Sequence, residues 1–157
     1  MEKEAQEMLP DALDTLLIVD DTELNRALLA EIFKGTYQIE EAENGQEGLE
    51  KLLAKKDEIC AVLLDVIMPV MDGMEVLHRM KEMDLLERIP VFLITAEDSA
   101  AVVREAYELG VMDVINKPVI PYVVSRRVGS VIELFRARKR LDNMVECQRL
   151  EILRQAN

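Results

Sequence analysis

Tryptophan is missing from this 157-residue chain, aromatic residues make up only 4% of it, and it holds one histidine and two cysteines. Cys60 and Cys147 stand far apart with no CxxC spacing. That argues against a disulfide framework or a thiolate metal site and suits the reducing cytosol. Cys60 is expected half-buried and Cys147 on the surface, with no redox role for either. The lone His78 lies on a helix-periodic stretch and is expected to be solvated or locally satisfied rather than a phosphohistidine. No apolar run approaches the ~20 residues of a membrane span, and the acidic opening MEKEAQEMLPD is unlike a secretory signal, so a cytoplasmic protein is expected. No GxxxxGKS or GxxxxGKT loop is present to hold a nucleotide.

Positive charge is scarce: 19 Lys and Arg stand against 31 Asp and Glu, a net charge of −12. From residue 121 onward eight basic residues face four acidic ones, so the tail is +4 and the rest −16. An acidic body with so sparse a basic tail argues against direct nucleic-acid binding. The length suits one domain with some extra chain, able to bury roughly two thirds of its unfolded surface.

What the sequence does have is alternation. Apolar runs at Leu16–Val19, Tyr37–Glu41, Ala61–Leu64, Pro90–Ile94 and Val114–Ile115 are each followed by a helix-periodic stretch. Short continuous apolar strands alternating with helices predict an α/β fold, a five-stranded parallel sheet covered on both faces and doubly wound. Asn44-Gly45 reads as a turn, and Met68, Met71, Met74, Met80 and Met83 read as core or loop filling. The last helix, roughly residues 123–155, is longer than one small domain needs. Val131, Leu134, Arg138, Leu141, Val145, Gln148 and Ile152 follow alternating steps of three and four, an imperfect heptad seam suited to a parallel dimer or a linker helix. An ordinary amphipathic helix with its first half packed on the sheet is the alternative. The expected organisation is a polar segment over 1–13, a domain over 14–135 and a helical extension over 136–157.

Ligands of open parallel sheets bind beyond the carboxyl ends of the strands. There the sequence places Asp20 and Asp21 after the first strand, Asp65 after the third, Thr95 at the end of the fourth, and Lys117 with Pro118 after the fifth. Asp20 and Asp21 taken alone could simply cap the next helix, and Asn25 and Arg26 could order their loop or simply lie on the surface. Three clustered carboxylates repel unless a cation neutralises them, and a hard divalent ion such as Mg²⁺ is the natural one. A carboxylate can also act as nucleophile and become an aspartyl-phosphate. Lys117 and Thr95 can then balance and bond the phosphoryl group, so this edge reads as a phosphoryl-accepting site.

The segments IVDDTELNR (18–26), LLDVIMPVMDG (63–73), LITAED (93–98) and GVMDVINKP (110–118), in this order and spacing, resemble the receiver domain of two-component response regulators over about residues 14–135. The resemblance implies strand order 2-1-3-4-5. It implies Asp65 as phosphoacceptor, Asp20, Asp21, Asp65 and the Ile67 backbone carbonyl as the Mg²⁺ site, Thr95 and Lys117 as the pair sensing the phosphoryl group, and a cis Lys117–Pro118 bond. It further implies a sensor histidine kinase or phosphotransfer protein as donor, and phosphorylation-gated homodimerisation. Val114 departs from the pattern, since the family's switch position there is often aromatic. Ile67 and Glu97 match positions that tune phosphoryl lifetime. The final helix resembles the extension of receivers that precede cyclic-di-GMP enzymes, yet no GGDEF, EAL or HD-GYP motif occurs, so either an output domain lies outside this chain or the protein works through its helix alone. Two other readings compete. A haloacid-dehalogenase-like phosphatase needs a second acid two residues past the nucleophile, where Ile67 stands. A phosphorylation-independent interaction module would leave the acids, Thr95 and Lys117 without work.

Overall fold

The computed structural model describes residues 14–96 and 99–156. In chain order the elements are β1 (Thr15–Val19), α1 (Glu23–Phe33), β2 (Gln38–Ala42), α2 (Gly45–Ala54), β3 (Ile59–Leu64), α3 (Gly73–Glu82), β4 (Val91–Thr95), α4 (Ala100–Leu109), β5 (Asp113–Asn116) and α5 (Pro121–Ala156). The five strands form one sheet in the order β2-β1-β3-β4-β5, every pairing parallel. This is the doubly wound arrangement expected. The segment 1–13 and Glu97 lie outside the described residues.

Strand side chains alternate between two cores because the pleat has a period of two. Leu17, Val19, Val62, Leu64 and Leu93 face one side, where Leu49 and Leu52 of α2, Leu77 and Met80 of α3 and Ala106 of α4 cover them. Leu16, Ile18, Leu63, Phe92 and Ile94 face the other, under Leu29 and Phe33 of α1 and Val124, Val128 and Ile132 of α5. Each of the larger of these side chains, Val and above, contributes about 1.5–3 kcal/mol on burial. The central strands β1, β3 and β4 are buried along their whole length, so their carboxyl ends are held firmly where a site needs rigid supports. Met68, Met71 and Met80 are buried and Met74 packs against the core, while Met83 is largely exposed.

Three expectations need correction. Cys60 is fully buried rather than half-buried, because it points into the α1–α5 core from the start of β3; Cys147 is exposed as expected. The second strand begins at Gln38, not Tyr37. Tyr37 instead donates its N–H to the Phe33 carbonyl at 2.9 Å, closing the end of α1, with its ring tilted against Phe33 at 6.1 Å. Asn44-Gly45 is a helix start rather than a turn: Asn44 is the N-cap of α2, and its side chain accepts the Glu47 N–H at 2.8 Å. Asp72 caps α3 in the same way through the Glu75 N–H at 2.9 Å.

The last helix runs 36 residues, yet its buried positions end at Ile132. Its second half, residues 137–156, is exposed throughout. Leu134, Leu141, Val145 and Ile152 are each more than half exposed, whereas Val131, at the head of the same seam, packs against the core. Among the described residues, no helix is long and apolar enough to cross a membrane.

Candidate functional site

Parallel register brings the acids together. Val19 of β1 pairs with Leu64 of β3, so the residues that follow, Asp20 and Asp65, leave the sheet side by side. Both keep their backbone pairing as they leave: Asp20 donates its N–H to Ala42 at 3.1 Å and Asp65 to Val19 at 2.9 Å. Then each carboxylate turns back on its own chain. Asp20 Oδ1 accepts the Thr22 N–H at 2.9 Å, and Asp65 Oδ1 accepts the Val66 N–H at 2.7 Å. Thr22, not either aspartate, is the N-cap residue of α1.

The second oxygen of each carboxylate is left to meet Lys117. Its Nζ lies 2.9 Å from Asp20 Oδ2 and 3.0 Å from Asp65 Oδ2. Lys117 is held at the end of β5 by its own N–H, which donates to the Thr95 carbonyl at 3.0 Å, and the Lys117–Pro118 bond is cis as expected. Thr95 ends β4 fully buried, paired in register with Asn116. Asp21 is exposed beside this pair, and the carboxylates of Asp20, Asp21 and Asp65 each offer an oxygen within 4.8 Å of the others. Thus one sheet edge gathers Asp20, Asp21, Asp65, Thr95 and Lys117.

Burial sets the electrostatics. Asp65 is pushed above the ordinary carboxylate range chiefly because it is withdrawn from water; Lys117 pulls it back, and the Asp20 charge pushes it further up. Burial likewise opposes charge on Lys117, but its hydrogen bonds to Asp20 and Asp65 outweigh this and raise it above the ordinary lysine range. The two shifts are consistent, since one ammonium serves two carboxylates while Asp65 has one cation and a neighbouring anion. Three carboxylates against one ammonium leave the cluster negative. A dense set of oxygen donors with surplus negative charge fits a hard divalent cation.

The loop after β3 is constrained from below. Gly73 donates its N–H to Val66 at 2.8 Å, and a Cβ at Gly73 would run into the Asp65 carbonyl oxygen. Gly45 donates to the Met71 carbonyl at 3.0 Å, so the start of α2 braces the same loop. Within it Val70 takes φ 69°, a conformation costly for a β-branched residue. The Ile67 side chain points to solvent from this loop. Arg26 of α1 braces the other side, donating to the Asp20 carbonyl at 2.6 Å and to Glu41 at 3.2 Å. The ordering role read for Arg26 in the sequence matches this contact.

Two features escaped the sequence reading. The capping role of Asp72 was legible in principle, as Asp-Gly with Glu three positions after the Asp. The role of Tyr107 was not. Its hydroxyl, on α4, donates to Asp113 Oδ1 at 3.1 Å and accepts the Val114 N–H at 3.2 Å, while Asp113 also pairs with Arg127 of α5 at 3.3 Å. A phenolic hydroxyl from the neighbouring helix therefore meets the Val114 backbone. His78 is locally satisfied, bonding Glu105 at 2.9 Å.

Comparison with known proteins decides the family. The family described as "Response regulator receiver domain" matches residues 16–128. The chain is a member of the response regulator receiver family. The rice two-component response regulator ORR3 is 32% identical to this receiver over 125 residues, covering 79% of this chain and 95% of that protein. A probable cyclic di-GMP phosphodiesterase of Vibrio cholerae is 34% identical over 142 residues, 90% of this chain; the chain spans only 32% of that relative's length. An alignment of that length runs past the receiver into α5. Among solved structures, a CheX-CheY-BeF3-Mg complex from Borrelia burgdorferi matches with a TM-score of 0.70 at 32% identity, over 75% of this chain and 88% of that one. Receivers of this family are signalling phosphoacceptors that bind Mg²⁺ in an acidic pocket, and this receiver has such an acidic cluster.

Proposed function

We propose that Asp65 is the residue of this receiver that takes the phosphoryl group. The observation that carries the reading is the bridge of one ammonium, Lys117, across the Asp20 and Asp65 carboxylates at the carboxyl end of β1 and β3. A carboxylate oxygen of Asp65 attacks phosphorus; the bond from phosphorus to the donor's nitrogen or oxygen breaks, and its electron pair leaves with the donor. Lys117 then gives up its contact with the attacking oxygen and pairs with the phosphoryl oxygens, and the Thr95 hydroxyl donates to another of them. Asp20, Asp21, Asp65 and the Ile67 backbone carbonyl would hold Mg²⁺. When bound, the ion supplies positive charge to offset that of the incoming phosphoryl group.

The donor is a sensor histidine kinase or phosphotransfer protein, approaching over α1. An apolar hollow of about 440 Å³ lies there beside Lys117, lined by Leu28, Leu29, Ile94 and Pro118, and Leu28 is more than half exposed. The receiver body is residues 14–135. The extension over 136–157 pairs with a second copy along Leu141, Val145 and Ile152, continuing from Leu134 of the body, and connects to an output domain outside this chain, as the V. cholerae relative suggests. The decisive experiment is intact-mass measurement after acetyl phosphate and Mg²⁺. One added phosphoryl group on the wild type and none on Asp65→Asn supports the assignment; an unchanged wild-type mass, or an equal adduct on the variant, overturns it.

A further inference from the structure

At the opposite end of the sheet from Asp65, a cavity of about 290 Å³ opens between the amino ends of β3 and β4 and the face of α5. It is the wedge left where α5 parts from the body, just past its last buried residue, Ile132. Its walls are apolar, formed by Ile59, Ile89, Pro90, Ile132 and Phe135. Around them stand Lys56, Arg88, Arg136, Arg138 and Lys139, against only Glu87 and Asp142. Among the lining residues cations outnumber anions five to two, or five to four with the flanking partners Asp57 and Glu133, in a chain with 19 basic and 31 acidic residues.

These cations come from three separate places: the α2–β3 connection, the α3–β4 connection and α5. Three belong to the basic run over 136–140 of α5, and the fold brings Lys56 and Arg88 to the same cavity. Arg136 is tied to Glu133 at 3.1 Å and lies over the Tyr37 ring at 5.7 Å, which fixes the back wall. Arg138 sits over the Phe135 ring at 6.0 Å. Arg88 pairs with Asp57 at only 3.6 Å and is more than half exposed, a contact that an incoming anion can displace.

We propose that this wedge binds a small organic phosphate. The phosphate meets Lys56, Arg88 and Lys139, and the body of the molecule lies against Ile132 and Phe135. Ligand pockets run from about 300 to 1,000 Å³. At about 290 Å³ the wedge lies just under that range and suits one nucleotide or sugar phosphate.

The test is calorimetric titration of the full chain at low salt with AMP, ribose 5-phosphate and inorganic phosphate. AMP or ribose 5-phosphate is expected to bind saturably at one per chain, at least tenfold tighter than inorganic phosphate, and to weaken as salt rises. The double variant Lys56→Glu/Lys139→Glu should lose at least tenfold in affinity while still taking up a phosphoryl group from acetyl phosphate, which shows that it folds. Absence of saturable binding, equal binding of inorganic phosphate, or undiminished binding by that variant overturns the proposal.

Discussion

At the residue scale, Lys117 governs the site, since its ammonium is shared by two carboxylates that would otherwise face each other out of water. Lys117→Ala is therefore expected to cost about 3 kcal/mol at neutral pH in urea unfolding. The deficit should shrink on acidification, when a carboxylate takes up a proton, and on adding Mg²⁺, which stabilises the folded state that binds it. Gly73 tolerates no side chain for a different reason: the Asp65 carbonyl oxygen occupies the space where a Cβ would go. Gly73→Ala should destabilise by roughly 3 kcal/mol, because backbone on both sides must shift, and it should slow phosphorylation of Asp65 by acetyl phosphate. The chemical identity of the site was legible at this scale, since five residues at strand ends drew attention to one edge. The sharing of Lys117 was not, because it depends on each aspartate spending one oxygen on its own backbone.

At the element scale, caps and edges set the boundaries. Removing the N-cap of α2 by Asn44→Ala should cost about 1 kcal/mol in the same unfolding assay, and Asp72→Ala about the same at α3. Tyr37 closes α1, and burial raises its phenol above the usual tyrosine value of 10.0. A raised folded-state pKa means the stability it protects is intact below pH 10.0 and is lost as the pH climbs through the folded value. Alkaline unfolding midpoints should therefore fall more steeply for the wild type than for Tyr37→Phe. The central strands and α4 were readable because continuous apolar runs and a helical period are strong signals. Asn44-Gly45 was not, because the same two residues serve a turn and a cap equally well, and only the neighbouring loop decides. Tyr107 had no local signal at all: its partner, Val114, is seven residues on and belongs to another element.

At the scale of the whole molecule, the two ends of the sheet carry opposite chemistry, acid at the carboxyl edge and base in the wedge beneath α5. The fold class and the length of the last helix were both legible in the sequence. The head of the seam was not, since Val131 reads as part of it but packs on the core. The proposed dimerisation through the exposed seam makes a clear prediction. With beryllofluoride and Mg²⁺ the wild type should move from monomer to dimer in light scattering after size exclusion, and Leu141→Glu/Val145→Glu should stay monomeric. That pair of substitutions should leave the unfolding midpoint nearly unchanged, because both positions are solvent-exposed.

The geometry of α5 has a mechanical side. It is anchored by Val124, Val128 and Ile132 and then runs to Ala156. At 1.5 Å per residue the stretch past Ile132 is an arm of about 36 Å. A tilt of ~5° about that anchorage, too small to disturb the core, carries the far end by about 3 Å on an arm of that length. Any rearrangement of the site that tilted this anchorage would thus be magnified by leverage at the helix tip.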